Sequence, residues 1–376
     1  MSEWTKTTIG EIAEIFDGPH ATPAKTSSGP WFLSISSLDR GRLNLAESAH
    51  VSEEDFVKWT RRVTPVAGDL LFSYETRLGE AALMPDGVRA CLGRRMGLLR
   101  PRTDRVDPRF LLYAYLGPQF QQTIAERSIH GATVDRIPLT ELGKWPISIP
   151  QLNEQRAIAA VLGALDDKIA VNGRIIATSD ELLASLAKGA FKNATRKVRL
   201  GELVTLKYGK SLRVGDRTPG PIPVFGGNGI SGSHDTALVN GPGVIVGRKG
   251  ANAGSVSWSS GDFWPIDTSF YVDVNSSNLP LEFVFFLLKK ANLPELVGDS
   301  AIPGLNREIA MSVTVPLPDE GVIKGFVERA RVNLAFQDRK RQEIQRLMEV
   351  RDVLLPKLMS GEVKVRDAEN LAEGAV

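Results

Sequence analysis

Pro150–Asn193, PQLNEQRAIAAVLGALDDKIAVNGRIIATSDELLASLAKGAFKN, has a heptad pattern over more than four heptads, at Ile158, Leu162, Leu165, Ile169, Asn172, Ile176, Ser179, Leu183, Leu186 and Ala190. Steps of four and three alternate, which puts one narrow apolar seam along a single long helix. At 1.5 Å per residue, roughly 40 residues make a rod of about 60 Å, where an ordinary globular helix has three or four turns. A plain core helix would show a wider apolar face. Here Asp166, Asp167, Lys168, Asp180 and Glu181 are expected to solvate the other faces, and the narrow seam predicts a coiled-coil partner.

The same chain offers that partner. From Asp319 to Ser360 the spacing recurs at Ile323, Phe326, Ala330, Asn333, Gln337, Lys340, Ile344, Leu347, Arg351, Leu354 and Leu358. This seam is apolar at both ends and polar in its middle. In an antiparallel pair, Asn172 and Ser179 would come near Lys340, Gln337 and Asn333, a polar layer that fixes register at some cost in stability. Pro356 is expected to kink or end the second helix near Leu355.

With 376 residues, 42% of them hydrophobic, the chain is long enough for two or three domains with cores of their own. Cys91 is the only cysteine, so no internal disulfide forms. No signal-peptide pattern and no long apolar run is present, and a soluble cytoplasmic protein is expected. A net charge of +2 does not identify a nucleic-acid binder, so any basic surface must come from local clusters.

Outside the two rods the chain repeats itself. Thr8-Ile9-Gly10-Glu11-Ile12 is answered by Val198-Arg199-Leu200-Gly201-Glu202-Leu203. The run Val66–Ser73, a turn into a buried strand, is answered by Gly241–Gly247, and the helix-like Asp107–Tyr113 by Leu279–Leu287. The loop Gly131–Arg136 before Trp145–Pro150 parallels Pro303–Arg307 before Val313–Pro318. This reads as a tandem duplication with a period of about 170 to 190 residues. The expected organisation is α+β: globule 1–150, rod 151–195, globule 196–318, rod 319–360, and a polar tail 361–376 that should be frayed.

Three linked features carry a family resemblance. They are Leu152-Asn153-Glu154-Gln155-Arg156-Ala157-Ile158 with Leu165-Asp166-Asp167-Lys168-Ile169, the closing Leu354–Val363, and the duplicated globule-rod plan. Over essentially its whole length the chain resembles the DNA-specificity subunits of Type I restriction-modification enzymes. The resemblance implies two target-recognition domains reading a split site, joined through an antiparallel coiled coil with pseudo-twofold symmetry. It implies no catalytic centre and no cofactor on this chain. Partners would be double-stranded DNA, two methyltransferase subunits holding S-adenosylmethionine, and, in a full restriction enzyme, translocase-nuclease subunits using ATP and Mg2+. Glu154, Gln155 and Arg156 would help dock a methyltransferase subunit. The second rod opens Asp319-Glu320-Gly321-Val322-Ile323 without that triplet, so the two docking sites need not be equivalent.

In the second globule, Gly226–His234 and Gly247–Gly254 are candidates for DNA contact, and equally plausible as plain turns and hairpins. Arg248 could fork onto guanine or phosphate, Lys249 suits phosphate, and Asn228 or Asn252 could pair with adenine. Lys207, Tyr208, Lys210, Ser211, Arg213 and Arg217 form a basic, hydroxyl-bearing run, which could equally be solvated surface. In the first globule the candidates are Tyr74, Arg77, Arg94 and Arg95, with His20, Thr22 and Lys25 in the early loop. Arg136 and Arg307 follow matched loops, where they could clamp phosphate or tie loop to helix.

The sequence holds no phosphate-binding G-x-x-x-x-G-K-[ST] loop, no strand-turn-helix G-x-G-x-x-G, and no C-x-x-C or H-E-x-x-H metal set. A self-sufficient methyltransferase or nuclease would need such features. The remaining alternative is a duplicated coiled-coil scaffold that never touches DNA.

Overall fold

The computed structural model describes residues 4–131, 134–192, 194–275, 279–298 and 303–374. Ala132 and Thr133, part of the first matched loop, lie outside the described residues. The chain divides into two units, the first made of 1–170 with 343–376 and the second of 171–342. Both long helices form, Leu152–Lys192 and Glu320–Ser360, and each gives one part of its length to each unit. Among the described residues no helix is long and apolar enough to cross a membrane.

The first unit contains strands β1 (Thr5–Thr8), β2 (Ala13–Asp17), β3 (Leu70–Ser73), β4 (Ala81–Leu83), β5 (Met96–Pro101) and β6 (Pro146–Ile149). β1 pairs antiparallel with β6, and a four-stranded sheet runs in the order β2-β5-β3-β4. The second unit repeats the plan with β7 (Arg196–Arg199), β8 (Val204–Tyr208), β9 (Gly243–Gly247), β10 (Val256–Ser259), β11 (Ser269–Val274) and β12 (Thr314–Leu317). There β7 pairs with β12, and the sheet order β8-β11-β9-β10 matches the first unit strand for strand. The repeated openings explain this: the short helices Ile9–Ile12 and Leu200–Leu203 each bury their two apolar ends and turn the chain from one sheet into the next. The fold is α+β, and the duplication read from sequence is present in its topology.

Each unit closes its core with its own stretch of the long helices. In the first, Ile158, Leu162, Leu165 and Ile169 share one apolar cluster with Leu347, Leu354 and Leu358, and with Phe110, Tyr115 and Trp145 of the globule. Asp107 caps the helix Pro108–Leu116 by accepting from the Phe110 N–H, as the sequence predicts. In the second, Leu183, Ala187 and Phe191 cluster with Ile323, Phe326, Ala330 and Leu334, against Phe283 and Phe286 of the helix Leu281–Lys290. Most heptad positions of the first long helix are buried, but Leu186 and Ala190 are half-buried and the seam shifts there to Ala187 and Phe191, as it does from Asn333 to Leu334 on the second helix.

The polar middle forms inside the second unit. Gln337 Nε2 donates to Ser179 Oγ at 3.1 Å and to Asp180 Oδ1 at 2.9 Å, and Ser179 Oγ donates to Asn333 Oδ1 at 3.3 Å. Asn172 is buried in the same seam, and its carboxamide has no hydrogen-bond partner among the described residues.

Three sequence expectations change. Pro356 does not end the second long helix, which runs on to Ser360; Leu358 and Met359 are buried in the core, and that packing holds the last turn despite the missing N–H. The tail is not frayed along its length, because Val365–Glu373 is a helix whose Ala368 is fully buried in the first unit's core, flanked by Val365 and Ala372. Asp166 does not face solvent: it accepts from Tyr113 Oη at 2.8 Å and from Arg351 Nη1 at 2.9 Å.

Exchanging a hydrogen-bonded buried polar group for apolar packing is often neutral or stabilising. The double substitution Gln337→Leu with Ser179→Ala should therefore raise the thermal unfolding midpoint by about 2–4 °C, on the order of 1 kcal/mol. Melting followed by circular dichroism checks this, and a fall of the midpoint would mean the layer stabilises the pair instead of only fixing its register.

Candidate nucleic-acid interface

In the second unit the sequence candidates converge on one end of the four-stranded sheet. Tyr208 is the last residue of β8 and pairs with Phe270 of β11. β9 ends at Gly247 and hands the chain to Arg248 and Lys249, whose N–H groups both donate to the Thr268 carbonyl, at 2.9 and 3.1 Å. The Arg248 carbonyl accepts from the Leu305 N–H at 2.8 Å, and Lys249 bridges Gly304. Gly227 packs so close behind this crossing that a β-carbon there would collide with the Lys249 carbonyl, so only glycine fits. The backbone of three separate segments is thereby pinned.

The side chains on that frame are cationic and aromatic. Arg248 and Arg307 place their guanidinium carbons 4.8 and 5.3 Å from the centroid of the Tyr208 ring. Tyr208 is 50% exposed and leans on Phe270, which is buried, at a ring separation of 5.1 Å. Arg248 Nη1 donates to the Asp267 carbonyl at 3.0 Å, and Arg307 pairs with Glu308 at 3.0 Å. Lys249 is exposed and has no ion-pair partner among the described residues. Lys210 is exposed too; its backbone is held by the Pro265 carbonyl and by Trp264 Nε1.

Other candidates in this unit divide. Asn228, Asn252, Ser211 and Arg213 are exposed. Lys207 is ion-paired with Asp273, a contact that raises its pKa. Arg217 holds the Ser231 carbonyl at 2.7 Å and serves the loop.

The first unit builds the same frame with other side chains. Asp17 ends β2 opposite Gly97, as Tyr208 ends β8. The Tyr74 N–H donates to the Arg95 carbonyl and its own carbonyl accepts from the Ile137 N–H, the same bonds that Arg248 makes to Thr268 and Leu305. So Tyr74 occupies the place of Arg248, Glu75 that of Lys249, and Asp17 that of Tyr208. Tyr74 is only 5% exposed, its hydroxyl has no hydrogen-bond partner among the described residues, and burial pushes its pKa up. Glu75 pairs with Arg95 at 2.8 Å, and Asp17 with Arg62 at 2.6 Å and His20 at 3.4 Å. Arg77 pairs with Glu80 at 2.9 Å, while Arg94 and Arg136 are exposed.

The frame corrects one pairing made from sequence. Glu75 bridges Arg136 where Lys249 bridges Gly304, so Arg136 stands opposite Gly304, and Arg307 belongs with the start of the helix Leu139–Leu142. Sequence reading also passed over Asp17, Arg62 and Glu75. Aligning Ile9–Asp17 with Leu200–Tyr208 position by position would have marked Asp17.

The residues of the family-like motifs are structural ties within the first unit. Asp166 gathers Tyr113 and Arg351, and Arg42 Nη2 donates to its carbonyl at 2.6 Å. Asp167 binds Arg109 at 2.7 Å, and Lys168 binds Glu343 at 3.5 Å. Gln155, expected to help dock a partner, is buried instead. Its Oε1 accepts from the Asp107 N–H at 2.9 Å and its Nε2 donates to the Pro150 and Arg105 carbonyls, which fixes the first turn of the helix against the globule. Arg156 is exposed and Glu154 half-buried.

Comparison with known proteins agrees with this architecture. Residues 1–178 match the family described as Type I restriction modification DNA specificity domain. The chain is 22% identical over 410 residues to a protein of Methanocaldococcus jannaschii described as the specificity subunit of type I restriction enzyme MjaX, covering 97% of this chain and 94% of that protein. It is 29% identical over 115 residues to the type I restriction enzyme EcoprrI specificity subunit of Escherichia coli, 29% of this chain and 28% of that one. The crystal structure of the S subunit of the M. genitalium Type-I restriction-modification system shares the fold, with a TM-score of 0.66 at 19% identity over 95% of this chain and 96% of that one.

Removing the carboxylate that gathers a tyrosine and an arginine leaves the Tyr113 hydroxyl without its acceptor and Arg351 with Asp352 as its remaining carboxylate. Asp166→Ala should lower stability by about 2–3 kcal/mol, read as a lower urea midpoint. Arg248→Ala, by contrast, should stay within about 1 kcal/mol of the parent, because it gives up one hydrogen bond to the Asp267 carbonyl and a cation–π contact at the edge of the sheet and leaves no buried charge behind. Equal losses in the two variants would remove the distinction between ties and surface readers.

Proposed function

We propose that the chain is a member of the Type I restriction-modification specificity family, and that it is the non-catalytic subunit that reads a bipartite DNA site. Each unit reads one half, and the chain directs partner adenine methyltransferase subunits, and restriction subunits where present, to the site. The observation that carries this reading is the end of the second unit's sheet, where Arg248 and Arg307 gather over a half-exposed tyrosine and the exposed Lys249 follows Arg248 in the chain. Gathering like charges is unfavourable unless an anion faces them, and the DNA backbone is such an anion. A scaffold without DNA binding would have no use for this cluster. Planar guanidinium donors also suit base edges in the major groove.

The partners in this reading are two methyltransferase subunits, which hold S-adenosylmethionine. Val171, Ile175, Leu182 and Phe336 line a shallow apolar groove on the second unit's part of the long helices. Val171 and Leu182 are substantially exposed there, at a spacing a methyltransferase helix could cover by knobs-into-holes packing. Glu154 and Arg156 remain candidates for docking at the start of the first long helix, and the second long helix has no counterpart to them.

Co-expression with the adenine methyltransferase subunit encoded in the same genome, followed by base-resolution mapping of methylated adenines, tests the function. The expected result is one split motif that appears only when this chain is present. A stable complex without new methylation would favour the scaffold.

Binding of the complex to DNA should weaken in Arg248→Ala and Lys249→Ala. For a phosphate contact, the slope of log affinity against log salt should flatten by about one unit per residue. Unchanged affinity and slope in both would remove this loop from the interface.

A further inference from the structure

The two units share a backbone frame but not what stands on it, and the difference singles out Tyr208. Nothing in the fold demands a tyrosine at this place, because the equivalent position of the first unit is Asp17, at the same end of the same strand in the same sheet order. Half of Tyr208 is left in solvent, and its ring meets the two guanidinium groups of Arg248 and Arg307. Phe270, buried and 5.1 Å away, fixes the ring from behind. The Asp267 carbonyl takes one amino group of Arg248, and the other amino group and Nε have no partner among the described residues. An arginine held over a ring, with one side of its fork open, is preorganised for the two acceptors that guanine presents in the major groove.

We propose that Tyr208 is a specificity-determining positioning residue: it holds the Arg248 fork to read a guanine in the half-site of the second unit. The first unit has no such platform and reads its half by other chemistry. Its frame puts the buried Tyr74 at the place of Arg248, and carboxylates, Asp17 and Glu75, at the places of Tyr208 and Lys249. Both acids are already paired with arginines, Arg62 and Arg95. Acceptors of this kind suit the exocyclic amino groups of cytosine or adenine. The inference rests on the DNA-reading function proposed above and adds which residue sets which half.

The test uses the complex with the methyltransferase subunits. The parent, Tyr208→Phe, Tyr208→Ala, Arg248→Lys and Asp17→Asn chains are each expressed and the methylated sites mapped. Tyr208→Phe should keep the parent motif, since the ring is retained. Tyr208→Ala and Arg248→Lys should admit other bases at one guanine of one half, with discrimination there falling about ten- to hundredfold. Asp17→Asn should alter only the other half. The purified complexes are also titrated with duplexes carrying each of the four bases at that position, so that a variant inactive in cells is still informative. Loss of affinity confined to the guanine duplex supports the positioning role. Equal loss on all four duplexes, an unchanged motif in Tyr208→Ala, or a parent half-site without a discriminated guanine overturns it. A parent complex that methylates no split motif overturns instead the function on which the inference rests.

Discussion

The pairing of two heptad seams is the constraint on which the structure depends. The largest core of each globule is completed by it: Phe110 and Trp145 share a cluster with Leu162 and Leu354, and Phe283 shares one with Leu183 and Phe326. In each unit small sheets and short helices are laid against a piece of antiparallel coiled coil. The burial of a wide globule face on a narrow helical seam supplies what a lone pair of long helices would lack.

Charged ties fix how each globule meets its helices. In the first unit Arg109 reaches Asp167 from the helix Pro108–Leu116, and in the second Glu282 of the helix Leu281–Lys290 takes Arg331 at 2.7 Å. The two ties run in opposite electrical sense, acid on the long helix in one case and base in the other. What the duplication preserves is the contact between elements, and the chemistry at each contact has diverged.

The seam, the repeat and the strand runs were legible in the sequence because each is written in local spacing. Ile158 to Ala190 states its period in consecutive residues, and the stretches Val66–Ser73 and Gly241–Gly247 each hold a strand as an unbroken run of small or apolar residues after a turn. What failed depends on distant partners. Tyr113 and Arg351 stand 53 and 185 residues from Asp166, so that carboxylate read as solvated surface. Gln155 looked like a docking residue because a carboxamide bound inside a unit and one bound to a partner are indistinguishable in sequence. Arg136 and Arg307 were matched by residue type, whereas the backbone bridges set their true register. The tail read as frayed on composition, although Val365, Ala368 and Ala372 already have the spacing of one helical face.

The site divides in the same way, with a physical reason. Its frame is made of backbone bonds, such as the Arg248 and Tyr74 N–H groups to the carbonyls of Thr268 and Arg95, which any residue except proline can supply. Side chains on such a frame can change without disturbing the sheet, since they carry none of its hydrogen bonds. That freedom lets Tyr208 and Arg248 in one unit stand where Asp17 and Tyr74 stand in the other. It also limits what sequence alone can say: residues released from structural duty carry no periodicity, and only their place on the frame shows that they share a site.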